Sequence, residues 1–174
     1  MDTDPGPVPL MVEDAVEARP TFERFFEDTH VRLFRAMYLL TGRASDAEDL
    51  VQETFAKVWE RWDRVRAMAN AEGYLYRVAM NAARTAARRR AVAARLLPGR
   101  SPRDEYDEVD QRDAVARALT ELPNRQRAAV VLTELLGYGA EEAAEILHVK
   151  PASVRSLASL GRDKLREALE APDA

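Results

Sequence analysis

The sequence predicts an all-α protein made of two small helical domains joined by a flexible acidic linker. Apolar residues recur at helical spacing from about residue 21 onward, and no stretch alternates like a strand. The segment PGRSPRDEYDEVD has two prolines, a glycine, an acidic run and little apolar content, which is typical of a linker. We therefore expect a disordered tail at 1–20, a domain at 21–97, a linker at 98–111 and a second domain at 112–170.

The composition of the chain excludes several classes of function. The chain contains no cysteine, which excludes disulfides and thiolate metal sites, and His30 and His148 lie far apart in helical patterns. It has no Gly-rich phosphate loop, no paired-histidine motif and no nucleophile beside a base. We expect no catalysis, no cofactor, no metal and no small-molecule substrate. The absence of a bilayer-length apolar run or secretory signal predicts a cytoplasmic protein without membrane insertion.

The first domain opens with FERFFEDTHVRLFRAMYLL, which predicts one or two helices ended by Gly42, and Ser45 is a candidate N-cap for the next helix. That helix, in DAEDLVQETFAKVWERW, has an apolar side that we assign to the domain core, and it comprises Leu50, Val51, Phe55, Val58, Trp59 and Trp62. Its other side is polar and includes Asp49, Gln52 and Glu53. Periodicity alone does not say whether that side is solvated surface or an interface.

A third helix, YLYRVAMNAARTAARRRAVAARLL, is strongly basic. The net charge of −4 hides this, because no acidic residue occurs from Tyr74 to Arg100. Arg77, Arg84 and Arg88 fall close to one helical face and suit phosphates. Tyr74 and Tyr76 are aromatics able to stack on exposed bases, and Asn81 has a donor and an acceptor for a base edge. The alternative is a solvated Arg-rich helix, but such helices usually mix charges of both signs.

The second domain ends in two short helices that form a helix-turn-helix candidate. Asn124 is a candidate cap, Gly137 and Gly139 interrupt the pattern, and Pro151 starts the last helix. The residues expected to pack inward are Ala143, Ala144, Ile146, Leu147, Val149, Val154, Leu157 and Leu165. The last helix would expose Ser153, Arg155, Ser156 and Ser159, whose short hydroxyls and arginine suit the major groove. The alternative is an α-hairpin without a DNA role.

The order of these motifs resembles an extracytoplasmic-function (group 4) sigma factor of bacterial RNA polymerase, of the actinobacterial type. The resemblance rests on DAEDLVQETFAKVW, on YLYRVAMN with its basic tail, and on LPNRQRAAVVLTELLGYGAEEAAEIL followed by VKPASVRSLASLGRDKLR. It extends from Thr21 to Glu170. It implies a promoter-specificity subunit that joins core polymerase, reads −35 and −10 elements and initiates melting.

The resemblance also implies a role for each segment. Region 2.2 would dock on the β′ clamp helices through Asp49, Gln52 and Glu53. The −10 element, with a flipped base, would meet Val65, Tyr74, Arg77 and Asn81, and the basic face adds Arg84 and Arg88. Region 4 would bind the β flap and read the −35 element through Ser153, Arg155, Ser156, Ser159 and Arg162. The linker acids Asp104, Glu105, Asp107, Glu108 and Asp110 would thread the active-site cleft as an RNA mimic. By themselves, those acids would read as a solvating spacer.

Two departures from the family pattern stand out. Tyr74 occupies a position where the family often has tryptophan, so an aromatic is retained. Leu157, Ser159 and Leu160 stand where members often carry basic or bulky residues, which implies different −35 contacts.

The resemblance implies an anti-sigma protein as a further partner. The competing hypothesis is a stand-alone helix-turn-helix regulator with an N-terminal sensing or dimerisation domain. A regulator should bind promoter duplex tightly by itself, whereas a sigma factor should require core polymerase.

Overall fold

The computed structural model describes residues 20–96 and 114–170, and within these two ranges it contains helices and no strands, as predicted. The first range contains α1 (Phe22–Thr41), α2 (Ala44–Trp59), α3 (Trp62–Val65) and α4 (Ala71–Leu96). The second contains α5 (Ala114–Glu121), α6 (Asn124–Val130), a π-helical turn (Val131–Leu135), α7 (Ala140–Leu147) and α8 (Pro151–Glu170). The predicted linker and nearly all of the predicted tail lie outside the described residues.

The ends of α1 follow local signals. The Thr21 side chain accepts a hydrogen bond from the backbone N–H of Arg24 at 3.3 Å, which caps the first turn. Gly42 adopts a left-handed conformation with φ of 73°, and its N–H donates to the Tyr38 carbonyl at 2.8 Å. The stop predicted at Gly42 is therefore confirmed, and the segment before it is one helix.

Two predicted caps are wrong. Arg43, not Ser45, is the N-cap of α2, and Ser45 lies exposed in the first turn. The reason is that Thr41 organises the short connection: its hydroxyl donates to the Arg43 carbonyl at 3.1 Å and accepts from the Arg43 N–H at 3.3 Å. Asn124 is likewise the first residue of α6, because the extended Pro123 occupies the cap position.

Helix α4 begins at Ala71, three residues before Tyr74, where the predicted third helix starts. The Asn70 side-chain oxygen accepts a hydrogen bond from the Gly73 N–H at 2.6 Å and so caps the helix at Ala71. An Asn at this position is a cap signal that the sequence contains. A Cβ at Gly73 would lie 2.7 Å from the Asn70 side chain, so a larger residue there would displace this cap.

The core of the first domain contains most of the predicted apolar side of α2, but not all of it. Leu50, Phe55 and Val58 are buried, whereas Trp59 is 57% exposed. The prediction that Trp59 belongs to the core is wrong, because the buried side of α2 is narrower than the apolar side predicted from the sequence. Trp59 lies at the edge of this predicted side, in line with Gln52 seven residues earlier.

The helix-turn-helix packs largely as predicted. Ala143, Ala144, Ile146, Leu147 and Val154 are buried, and Val149, Leu157 and Leu165 are partly buried. Helices α6 and α8 approach closely at Gly161, where an added Cβ would lie 2.5 Å from Cγ2 of Val130.

The two domains do not stand apart. One cluster of buried apolar residues runs through both, from Leu33 and Leu75 in the first domain to Leu132 and Ile146 in the second. Helix α4 packs against α7, and α1 packs against α5 and the π-helical turn. This arrangement brings residues of both domains to one surface.

Candidate nucleic-acid interface

The basic face of α4 is the centre of the candidate interface. Arg77, Arg84 and Arg88 lie on one side of the helix, with Asn81 on the turn between Arg77 and Arg84 and alanines among them that let the helix approach a partner closely. Asn81 and Arg88 are exposed, and Arg77 is half-buried. The predicted arginine face is therefore present as a continuous surface of the helix.

A cavity of about 260 Å³ lies at the N-terminal end of that face. Its walls include Val65, Tyr74 and Arg77, three of the residues predicted for the −10 element. Val65 is fully buried, and a guanidinium nitrogen of Arg61 lies 3.5 Å from the Tyr74 hydroxyl oxygen. The structure brings these three residues together but places Asn81, Arg84 and Arg88 along the helix, outside the cavity lining.

Helix α7 forms the opposite wall of the cavity. Glu142, Glu145 and Ile146 line it from that side. The guanidinium of Arg84 donates to the Leu147 carbonyl at 2.9 Å, and an Arg77 nitrogen lies 3.9 Å from a Glu145 carboxylate oxygen. The sequence offered no signal for these contacts, because the partners are more than sixty residues apart.

The stacking role expected for Tyr76 is contradicted, because its side chain is fully buried. Its ring packs edge-on against Tyr138 of the second domain, with ring centroids 5.6 Å apart. Burial, with a smaller effect of Glu72, raises the pKa of Tyr76 to about 12, against a smaller opposing effect of Arg32. Burial likewise raises the pKa of Tyr138. The Tyr76 hydroxyl has no hydrogen-bond partner among the described residues.

The exposed face of α8 contains every residue predicted for the −35 element: Ser153, Arg155, Ser156, Ser159 and Arg162. Arg155 pairs with Glu141 at 3.1 Å, and Arg162 pairs with Glu134 at 2.7 Å. Exposed ion pairs of this kind contribute about 0–1 kcal/mol. Either arginine can therefore exchange its carboxylate for a phosphate at little cost.

A second surface lies on α2. Asp49, Gln52 and Glu53 are exposed, as expected for an interface, and Glu53 pairs with Lys57 at 2.5 Å. Trp59 lies on the same side as Gln52, two turns further along, and packs on Phe22 with ring centroids 4.7 Å apart. The exposure of Trp59 was not predicted, and the sequence signal for it is its position at the edge of the apolar side of α2.

The remaining expectations concern the acidic linker, metal sites and membrane-spanning helices. The linker residues Asp104, Glu105, Asp107, Glu108 and Asp110 lie outside the described residues. Among residues 20–96 and 114–170, no group of three His, Asp or Glu side chains is arranged to hold a metal ion. No helix in these ranges is long and apolar enough to cross a membrane.

Two protein-family sequence models match the chain. Sigma-70 region 2 matches residues 25–92, and Sigma-70 region 4 matches residues 112–165. Similar curated proteins include the ECF RNA polymerase sigma factor SigE of Mycolicibacterium smegmatis, 33% identical over 167 residues, which cover 87% of this chain and 63% of that protein. SigM of Mycobacterium tuberculosis is 30% identical over 166 residues, covering 92% of this chain and 83% of that protein. The chain thus spans less than two thirds of SigE but most of SigM.

Solved structures give the same fold. The sigma factor RpoE of Bartonella quintana, in complex with the anti-sigma factor NepR, superposes with a TM-score of 0.74 at 25% identity, covering 87% of this chain and 98% of that one. CnrH, in complex with the cytosolic domain of CnrY, superposes with a TM-score of 0.61 at 24% identity, covering 87% and 89%.

Proposed function

The chain belongs to the extracytoplasmic-function sigma factors of the sigma-70 family, and from this premise we propose that it directs core RNA polymerase to a set of promoters. In this proposal the first domain binds the polymerase and the −10 element, and the second binds the −35 element and the β flap. The single observation that supports it most is the meeting of Val65, Tyr74 and Arg77 around one cavity beside the basic face of α4.

The cavity has the chemistry that an unstacked base requires. Tyr74 provides an aromatic face and Arg77 a cation for the adjoining phosphate, while the fully buried Val65 supports the floor of the cavity from below. Unstacking a base costs a few kcal/mol, which a fitted pocket offsets. We assign the exposed Asn81, Arg84 and Arg88 to the strand that continues along α4. The first domain would thus hold the melted −10 strand.

The polymerase contact is assigned to α2. Asp49, Gln52 and Glu53 form its exposed polar side, and Trp59 adds an aromatic that is only partly covered by its own domain. Exposed tryptophans are frequent energetic centres of protein interfaces. The second domain contributes the exposed hydroxyls and arginines of α8 to the major groove of the −35 element.

The remaining assignments follow from the family premise. The protein would act as a non-catalytic subunit in the cytoplasm, without a cofactor. The superposed sigma factor RpoE of Bartonella quintana is solved in complex with the anti-sigma factor NepR. We infer an anti-sigma protein for this chain as well. The linker acids Asp104, Glu105, Asp107, Glu108 and Asp110 would lie in the active-site cleft of the holoenzyme.

The test adds the full chain to core polymerase from Mycolicibacterium smegmatis, supplies genomic DNA fragments from the source of the chain, and maps the 5′ ends of the transcripts. We expect start sites that core polymerase alone does not produce, preceded by shared −35 and −10 sequences. Start sites identical to those of core polymerase alone would overturn the proposal. Tight binding of the isolated chain to duplex from those start sites would instead favour the stand-alone regulator.

A further inference from the structure

Two arginines on the exposed face of α8 each contact a glutamate from another element of the second domain. Nη1 of Arg155 donates to Oε1 of Glu141, in the first turn of α7, at 3.1 Å. Nη1 of Arg162 donates to Oε1 of Glu134, in the π-helical turn, at 2.7 Å. Arg155 lies in the second turn of α8, and Arg162 lies two turns further along. The two pairs are alike in chemistry and differ in their place on the helix.

The contact with Glu141 leaves part of the Arg155 guanidinium group available for a second partner. The group is planar and has five N–H donors in a fixed fork. The bond to Glu141 uses Nη1, so the edge formed by Nε and Nη2 can still make two parallel hydrogen bonds. Two parallel donors match O6 and N7 of guanine in the major groove. Arg155 can therefore keep its carboxylate partner and bind a guanine at the same time.

Glu141 has a defined position relative to α8, because α7 and α8 form one packed unit. The two helices pack together, and Ala143 and Ile146 of α7 are buried with Val154 of α8 in one apolar cluster. The start of α7 is held as well, since the Glu142 carboxylate accepts a hydrogen bond from the Gly139 N–H at 3.1 Å. The backbone of Glu141 thus stays in place, and the carboxylate can serve as a support for Arg155.

The pair of Arg155 and Glu141 is weak in the isolated chain and strengthens where DNA covers it. The two side chains are 61% and 74% exposed, so water screens their attraction. A duplex bound on α8 removes water from both groups, and the attraction between charges rises as the local dielectric constant falls. On DNA without a suitable base, Arg155 can exchange Glu141 for a phosphate. A guanine in register lets Arg155 keep the carboxylate and gain a base.

The place of Arg155 on α8 suits it to a base contact. In a helix-turn-helix, the N-terminal residues of the second helix meet the base edges. Ser153 and Ser156 lie beside Arg155 and are exposed, and their short side chains let this end of α8 approach the groove closely. Arg162 is about 10 Å further along the helix axis. A contact with a phosphate, which fixes orientation but carries no base information, fits Arg162 better.

We propose that Glu141 is a positioning residue for −35 recognition: it orients Arg155 so that this arginine reads a guanine in the −35 element. Glu141 would thus contribute to promoter choice without touching DNA itself. The inference rests on the proposed DNA role of α8. Glu134 makes the equivalent contact with Arg162, but there it supports a phosphate contact and not a base contact.

The test selects duplex DNA from a pool with a randomised −35 region and sequences what is bound. The full chain is used both with core polymerase and alone. We expect the parent chain to enrich a guanine at one position by about 5- to 150-fold over the other bases. Glu141→Ala should lower that enrichment by about 3- to 10-fold at that position and leave the other positions unchanged. Glu141→Gln keeps an acceptor oxygen and should lose less.

Glu134→Ala is the matched control, because it removes the same charge and the same kind of contact from the other arginine. It should change binding to all sequences alike and leave the base preferences as in the parent chain. The double variant Glu141→Ala with Arg155→Ala separates positioning from charge. If Glu141 acts through Arg155, the double variant has the base preferences of Arg155→Ala alone. Thermal unfolding of each variant should match the parent chain, because both ion pairs are exposed.

Two results overturn the inference: base preferences of Glu141→Ala that equal those of the parent chain, or a loss of preference spread equally over all positions. A parent chain that selects no sequence, with core polymerase or alone, overturns the DNA role of α8 together with the inference. The start-site experiment reports separately on the proposed function. Absent start sites, with a guanine preference that depends on Glu141 in the chain alone, remove the sigma-factor assignment and leave the role of Glu141 intact.

Discussion

Arg84 of α4 donates a 2.9 Å hydrogen bond to the carbonyl oxygen of Leu147, the last residue of α7. The two residues are 63 positions apart and belong to different domains. A side chain that the sequence assigns to DNA thus contacts protein in the structure. The guanidinium group assigned to promoter DNA therefore also takes part in the packing of the two domains.

The α2 surface provides the first prediction. Gln52→Ala should weaken association with core polymerase by about 1–3 kcal/mol, if the amide makes a buried hydrogen bond in the holoenzyme. Because Gln52 is exposed in the isolated chain, its thermal unfolding should stay unchanged. A pull-down titration against core polymerase measures the affinity, and equal affinity of variant and parent would remove Gln52 from the interface.

The two tryptophans should behave differently. Trp59→Ala should reduce the free energy of unfolding by only about 1 kcal/mol, because the ring is 57% exposed and retains chiefly its contact with Phe22. Trp62→Ala should cost about 2–4 kcal/mol, because its ring packs on both Phe22 and Phe25, with centroids 5.5 and 5.2 Å away.

Urea unfolding compares the two variants, and the core-polymerase titration is then repeated with Trp59→Ala. We expect that variant to lose about 2 kcal/mol of affinity for the polymerase, as an aromatic anchor would. A Trp59→Ala chain that is as unstable as Trp62→Ala would show that Trp59 acts as core and not as interface.

Asn81 provides a test of promoter melting. Asn81→Ala should slow opening of the −10 element while leaving core binding intact, because the exposed side-chain amide is assigned to a base edge. A 2-aminopurine probe in the −10 element of a mapped promoter follows melting. Thr85→Val serves as a neighbouring control, since its hydroxyl only donates to the Asn81 backbone carbonyl at 2.9 Å. Identical melting curves for Asn81→Ala and the parent chain would rule out this role.

Gly161 tests the packing of the helix-turn-helix. Gly161→Ala should destabilise the chain by about 1–3 kcal/mol, since the new Cβ would lie 2.5 Å from Cγ2 of Val130. The better helix propensity of alanine offsets about 1 kcal/mol of this. The double variant Gly161→Ala with Val130→Ala should lose less stability than the sum of the two single variants. Strict additivity in thermal unfolding would show that the two residues are not in contact.

Alkaline pH should loosen the domain interface. In the folded state burial raises the pKa of Tyr76 from the ordinary tyrosine value of 10.0 to about 12, so the folded chain holds a proton that the unfolded chain releases between these values. Ionisation of Tyr76 therefore leaves the free energy of unfolding unchanged below pH 10. As the pH rises from 10 toward 12, it lowers the free energy of unfolding by about 2–3 kcal/mol.

The measurement is urea unfolding between pH 9 and pH 12, with tyrosine ionisation followed at 295 nm. Tyr76→Phe should flatten this decline, and it should also raise stability at neutral pH by about 1 kcal/mol, because the buried hydroxyl has no hydrogen-bond partner among the described residues. A Tyr76→Phe chain with the pH dependence of the parent chain would assign the effect to other groups.

Much of the helical layout was predictable, because its causes are local. Gly42 ends α1 and Pro151 begins α8 through the backbone preferences of these residues. The inward face of the helix-turn-helix followed from 3.6-residue spacing, which any packed helix obeys. The two failed caps, at Ser45 and Asn124, show the limit of such signals. The cap lies two residues earlier, at Arg43, beside Thr41, and one residue earlier, at Pro123.

The sequence by itself determined the two helical domains, the basic face of α4, the exposed face of α8 and the motifs that identify the family. Tertiary structure decided the rest: that Trp59 is exposed, that Tyr76 is buried against Tyr138, and that α7 contacts Arg77 and Arg84. The physical reason is that propensity, capping and periodicity act over a few residues. Packing between α4 and α7 depends on the complementarity of surfaces far apart in the chain, which no local pattern records.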